Sequence, residues 1–168
     1  MIERPVREFS KLHELMIALH DANNSTRNLI RGLLWGMGAR HFIYINSKEE
    51  LNDIPARADI AVLLSNVGGD ISAGEIAATV RRGQVNLEPG IPMIAYAFYP
   101  TINHLKTALG EYGFDEFLAV PITVRSLHAK LFTSLCRPRP IIVEDNYVGP
   151  DNSKAITAMY DWLRGRGA

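Results

Sequence analysis

His20 and Asp21 stand side by side ahead of Asn23-Asn24-Ser25-Thr26. An imidazole next to a carboxylate could move a proton, and a carboxylate could hold a cation. Catalysis by His20 would need a nucleophile at a matching motif position, and none stands there. Hard cations ask for several oxygen ligands, and one carboxylate rarely suffices. Asp21 is therefore expected on the surface or capping a loop. Ser65 is expected to cap local backbone. Gly68-Gly69 offers a turn, without the P-loop Lys or a full GxGxxG pattern. The arginines of the Arg4–Arg7 segment and the pair Arg81-Arg82 could bind phosphate; the plainer expectation is a flexible start and a solvated helix face.

Metal and redox chemistry find little else. Cys136 is the one cysteine, and His13, His41, His104 and His128 are scattered. No Cys/His cluster has zinc spacing, and no internal disulfide can form. The reading is no metal, no cofactor and no enzyme.

The chain has 168 residues, of which 47% are hydrophobic, enough for one domain with a real core. Lys plus Arg number 18 and Asp plus Glu number 18, which removes the electrostatic case for nucleic acid or an anionic membrane. The start lacks the apolar stretch of a signal peptide, and the apolar runs are too short to span a bilayer. A cytoplasmic protein is expected.

Short apolar runs alternate with amphipathic stretches. Leu15–Leu19, Phe42–Ile45, Ile60–Leu64, Pro92–Ala97 and Glu116–Val120 read as strands. Asn23–Thr26 reads as a loop and N-cap for a helix through Leu29, Ile30, Leu33, Leu34 and Met37, with Gly38 as its stop. Ser47 and Glu50 suggest a capping box. Further helices follow through Ile76 and Val80, through Ile102 to Tyr112, and from Val124 to Leu135. Arg137-Pro138-Arg139-Pro140 ends the last of these. An extended piece at Ile141–Glu144 and a short helix with Tyr160, Trp162 and Leu163 close the chain. This alternation predicts an α/β domain, a parallel sheet with helices on both faces.

Three segments resemble a known family. His20–Arg31 is similar to the start of a response-regulator receiver domain, where an acidic pair ends the first strand and an Arg opens the first helix. Asp59–Gly68 resembles the third strand and phosphoacceptor loop. Phe114–Pro121 resembles the fifth strand and its Lys-Pro turn. The resemblance covers roughly Leu15 to Leu135, and the tail is similar to an extension of some stand-alone alphaproteobacterial receivers. It implies a flavodoxin-like doubly wound sheet of five parallel strands, order 2-1-3-4-5, with the site at the carboxyl ends of the strands. The implied division is an N-terminal extension (1–14), a receiver-like domain (15–136) and a C-terminal extension (137–168).

By that resemblance the phosphorylation chemistry is lost. Asp21 matches the first acid and Ala22 the second. The acceptor position, five residues after Asp59, falls on Leu64. The Lys position falls on Val120, before Pro121, and the Ser/Thr position on Ala97 or Phe98. The switch aromatic is Phe117. A dry, filled pocket is expected. The implied function is a degenerate stand-alone receiver that binds a signalling protein or a histidine-kinase component without phosphorylation, as a homodimer. Trp35, Ile102, Leu105, Tyr112 and Leu127 are candidate interface residues. The alternatives are a cyclic-dinucleotide sensor using Arg4, Arg7, Arg81, Arg82, Arg137 or Arg139, and a conventionally phosphorylated receiver if the acceptor lies elsewhere.

Overall fold

A computed structural model describes residues 2–166 apart from 57, 70, 71 and 120. Five parallel strands form one sheet: β1 (Met16–His20), β2 (His41–Ile45), β3 (Ile60–Asn66), β4 (Met93–Ala97) and β5 (Glu116–Ala119). Their order is β2-β1-β3-β4-β5, as the resemblance implies. The helices are α1 (Asn24–Gly36), α2 (Ser72–Arg81), α3 (Ile102–Gly110), α4 (Val124–Cys136) and α5 (Ser153–Arg166). A hairpin of β6 (Ile141–Glu144) and β7 (Tyr147–Pro150) precedes α5.

The strand period of two sends neighbouring side chains to opposite faces. Ala18, Leu63, Ala95 and Phe117 pack toward α2 and α3. Ile17, Leu19, Val62, Leu64, Ile94, Tyr96 and Leu118 pack toward α1 and α4. Both sets are buried, so β3 as far as Ser65 and all of β4 are covered on both faces, as central parallel strands require.

Local signals hold in part. The Asn23 side chain accepts from the amides of Ser25 (2.9 Å) and Thr26 (3.2 Å) and so caps α1. Gly38 follows α1 at φ 112°, in the left-handed region that ends helices. The expected capping box at Ser47 is absent: its side chain makes no cap bond, and Glu50 instead accepts from the Asn46 amide at 2.7 Å. That segment, Lys48–Asp53, is a 3-10 turn, so no α-helix links β2 to β3.

The N-terminal segment is docked, contrary to the expected flexible start. Ile2 bridges Ile141, the Arg7 amide donates to the Leu135 carbonyl at 2.8 Å, and Leu12 is buried in the α1/α4 core. Phe9 packs against His128 and Phe132, with ring centres at 4.6 and 5.8 Å. The C-terminal extension is docked too. Asn152 donates to the carbonyls of Leu109 (2.8 Å) and Phe114 (2.7 Å), and α5 packs on α3.

Candidate functional site

The carboxyl ends of β1, β3 and β4 open into a cleft of about 580 Å³. Asp21, Asn23, Thr26, Asn66, Gly68 and Phe98 are among its lining residues. This corrects the expectation of a dry, filled pocket: the cleft is open and carries several polar groups.

Asp21 is neither on the surface nor simply a loop cap. It is 1% exposed. Its Oδ1 accepts from the Asn23 amide at 2.9 Å, which is the expected capping bond. Its Oδ2 accepts from the Tyr96 hydroxyl at 2.7 Å, from Asn66 Nδ2 at 3.3 Å and from Thr26 Oγ1. A buried carboxylate needs such donors to offset its desolvation. A cation entering here would have to displace them, and among the described residues no three His, Cys, Asp or Glu side chains come together as a ligand set. Burial, with the hydrogen bond and negative charge of Asp21 adding to it, pushes the Tyr96 hydroxyl above the ordinary tyrosine range. Tyr96 is therefore a donor at any physiological pH.

Leu64 is fully buried in the α1/α4 core, beside Leu19 and Ile94, and does not line the cleft. The side chain that faces Asp21 across the cleft floor is Asn66, two residues on. Strand parity explains it: Leu19 pairs with Leu64, so Asp21, two residues after Leu19, lies level with Asn66. Ala22 is exposed at the rim. Ala97 is buried beneath the β3–α2 loop, where a Cβ on Gly68 would lie 3.1 Å from the Ala97 Cβ. Phe117 is buried at 3% exposure. Pro121 is exposed, and Val120 lies outside the described residues. Sequence reasoning missed Asn66, Tyr96 and Thr26 as partners of Asp21.

Ser65 points to the opposite side of the sheet and does not cap a loop. It is fully buried, and its Oγ is 2.7 Å from Nδ1 of the equally buried His20. The α2 residue Ser72 places its Oγ 3.4 Å from His20 Nε2. With both groups at 0% exposure, a substrate has no path to this pair.

The arginines divide. Arg81 is 2% exposed rather than solvated. It donates to the carbonyls of Gly113, Pro89 and Ile91 and to Asp115 at 3.0 Å. Arg4 grips the same carboxylate in bidentate fashion at 2.6 and 2.8 Å, and the Met93 amide donates to it at 2.8 Å. Arg139 donates to the Asp115 carbonyl. Arg4 and Arg81 are thus consumed by Asp115 and cannot serve an incoming phosphate. Arg7 pairs with Asp59 at 2.5 Å near the surface. Arg82 is exposed, and Arg137 lies over the Phe132 ring at 5.6 Å.

The interface candidates divide as well. Leu105 and Leu127 are core residues. Tyr112 packs so closely over Gly74 that a Cβ there would strike its ring. Only Trp35, at 46%, and Ile102, at 41%, are available to a partner.

No protein-family model matches the chain, and a search of curated proteins found no match. Solved structures do match. The signal receiver domain of an HD domain-containing protein from Pseudomonas fluorescens Pf-5 aligns with TM-score 0.59 and 15% identity, over 79% of this chain and 95% of that one. The signal receiver domain of a two-component histidine kinase from Clostridium thermocellum gives 0.60 and 14%, over 74% and 98%. The chemotaxis protein CheY4 of Vibrio cholerae gives 0.57 and 16%, over 70% and 95%. The chain has the fold of receiver domains. Among the described residues, no helix is long and apolar enough to cross a membrane.

Proposed function

We propose that this chain is a signalling module that uses the receiver fold as a binding scaffold and does not take up a phosphoryl group. The observation that carries the reading is the pairing of Asp21 with Asn66. Phosphoryl transfer to a receiver needs a carboxylate nucleophile and a metal to offset the charge that develops. The position facing Asp21 holds a carboxamide, which is neither a nucleophile nor an anion. The alternative acceptor position, Leu64, is an apolar core residue. Ala22 offers no second acid, and both oxygens of Asp21 are already engaged.

The fold shared with the receiver domains above supports the signalling role. The binding partner is a signalling protein, and the module works as a homodimer in the cytoplasm. Of the surfaces considered, those around Trp35 and Ile102 are open to such contacts. The cyclic-dinucleotide alternative loses two of its six arginines, Arg4 and Arg81, to Asp115.

Light scattering and thermal melting with and without Mg²⁺ plus beryllofluoride test the reading. Beryllofluoride imitates an aspartyl phosphate only where an acceptor carboxylate and a metal site exist. The expected result is a dimer mass and a melting temperature that both stay unchanged. A rise in melting temperature specific to the complete mixture would overturn it, because a ligand that binds only the native state must stabilise it.

A further inference from the structure

The flank formed by α1 and the edge strand β2 carries an alternation of guanidinium groups and aromatic rings. Arg27, Arg31 and Trp35 recur every fourth residue and share one stripe of α1. Phe42 and Tyr44, two apart on β2, share one face of the sheet. The two rows interleave. Arg27 lies over Tyr44 at 5.0 Å, Arg31 lies between Phe42 (5.5 Å) and Trp35 (5.6 Å), and Arg40 closes on Trp35 at 4.2 Å. Trp35 and Tyr44 are 46% and 39% exposed. Among the described residues, no strand pairs with the outer edge of β2.

Between Ala22 and Lys48 the charge has one sign. From Ala22 to Lys48 the sequence holds Arg27, Arg31, Arg40 and Lys48 and no Asp or Glu, in a chain with 18 residues of each sign. Lys48 is paired with Glu75 at 3.4 Å. Arg27 is held by the side chains of Asn24 and Asn46. Arg31 and Arg40 form no ion pair among the described residues, and both are exposed. A stacked guanidinium uses its face and leaves N–H groups for bidentate contact with a carboxylate; Arg40 spends Nη1 on the carbonyls of Trp35 (2.9 Å) and Ala39 (2.8 Å), which fixes its direction and leaves the Nε–Nη2 edge. Two such edges beside an exposed indole are the residue types that dominate binding energy at protein interfaces.

We infer that the α1–β2 flank docks an acidic amphipathic segment of another protein, whose carboxylates meet Arg31 and Arg40 and whose apolar side chains cover Trp35. The inference rests on the reading of the chain as a binding module and adds the surface and the chemistry of the partner. A nucleic acid would also meet the arginines, but the Glu50 carboxylate sits at the Arg27 end of the flank, bonded to Asn46, the partner of Arg27, and opposes a continuous phosphate backbone there. A carboxylate partner engages two fixed groups and can stop short of Glu50.

The test uses the full chain and a fluorescein-labelled helical peptide with a Glu stripe beside a Leu stripe. Its controls are the same peptide with Gln for Glu and a single-stranded oligonucleotide of equal charge. Titration without any phosphodonor keeps this result separate from the phosphorylation question. The Glu peptide should bind at least about tenfold more tightly than the Gln peptide, since each charge-assisted contact adds energy of that order. The double variant Arg31→Gln/Arg40→Gln should lose about tenfold or more in affinity, and Trp35→Ala a similar factor, with circular dichroism unchanged. Equal binding of the Glu and Gln peptides, no loss in the arginine variant, or tighter binding of the oligonucleotide would overturn the inference. Should Trp35→Ala fail to fold, the two exposed arginines still decide.

Discussion

Asn66 Nδ2 lies 3.3 Å from Oδ2 of Asp21, and the Tyr96 hydroxyl lies 2.7 Å from the same oxygen. Asp21, the one carboxylate that lines the cleft among the described residues, thus faces two neutral donors rather than a second acid. Its charge is spread over a hydrogen-bond cage that also fixes the start of α1 through Asn23 and Thr26. An acid built to hold a cation would keep an oxygen open; this one is engaged on both oxygens.

Asn66→Asp should place two carboxylates together on the cleft floor. The new acid would have its folded-state pKa raised above the unfolded value, because a like charge disfavours ionisation. The variant should lose about 1–3 kcal/mol at neutral pH, and the loss should disappear as pH falls below the usual carboxylate range. Added Mg²⁺ should restore part of it at neutral pH. Urea melts at pH 7 and pH 4, with and without Mg²⁺, measure this.

Tyr96→Phe should cost about 1–3 kcal/mol, since it removes a donor from a carboxylate that is 1% exposed. In the native protein Tyr96 titrates above the ordinary tyrosine range. A folded pKa above the unfolded one gives stability that is fully present below about pH 10 and lost as pH rises further. Alkaline difference absorbance should show Tyr96 among the six tyrosines ionising only on unfolding.

Asp115→Ala should be far more damaging, about 3–5 kcal/mol, because it strands the guanidinium groups of Arg4 and Arg81, both with side chains no more than 3% exposed. The N-terminal segment should then exchange its amides faster, since Arg4 no longer ties it to β5. Hydrogen exchange of residues 2–8 reads this directly.

Asp59→Asn makes the contrast. The Arg7 guanidinium hydrogen-bonded to Asp59 holds its carboxyl below the usual carboxylate range, against the opposing pull of partial burial. That contribution is present above the unfolded pKa and lost as pH falls through the lower folded value. The Asp59 side chain is 70% exposed, so the loss should stay under about 1 kcal/mol. Denaturant midpoints of the two aspartate variants, compared at pH 7, measure the difference.

The alternation of β-branched runs and amphipathic stretches was enough to read the sheet and its helices, because those signals depend on burial and period alone. The site is less legible in the sequence. Counting five residues from Asp59 led to Leu64, whereas pairing parity from Leu19 leads to Asn66. In sequence Tyr96 is one more residue of a strand, since nothing local marks which core tyrosine will reach a carboxylate 75 residues away. Arg4 and Arg81 look like surface charge in sequence. Their burial depends on Asp115, which only the folded sheet brings between them.

The most direct test is intact-mass spectrometry of the purified chain after incubation with acetyl phosphate and Mg²⁺. The account predicts a single unmodified species. A stoichiometric adduct of one phosphoryl group, labile to hydroxylamine and mapped to a carboxylate of the cleft, would contradict it and make the protein a conventional phosphate acceptor.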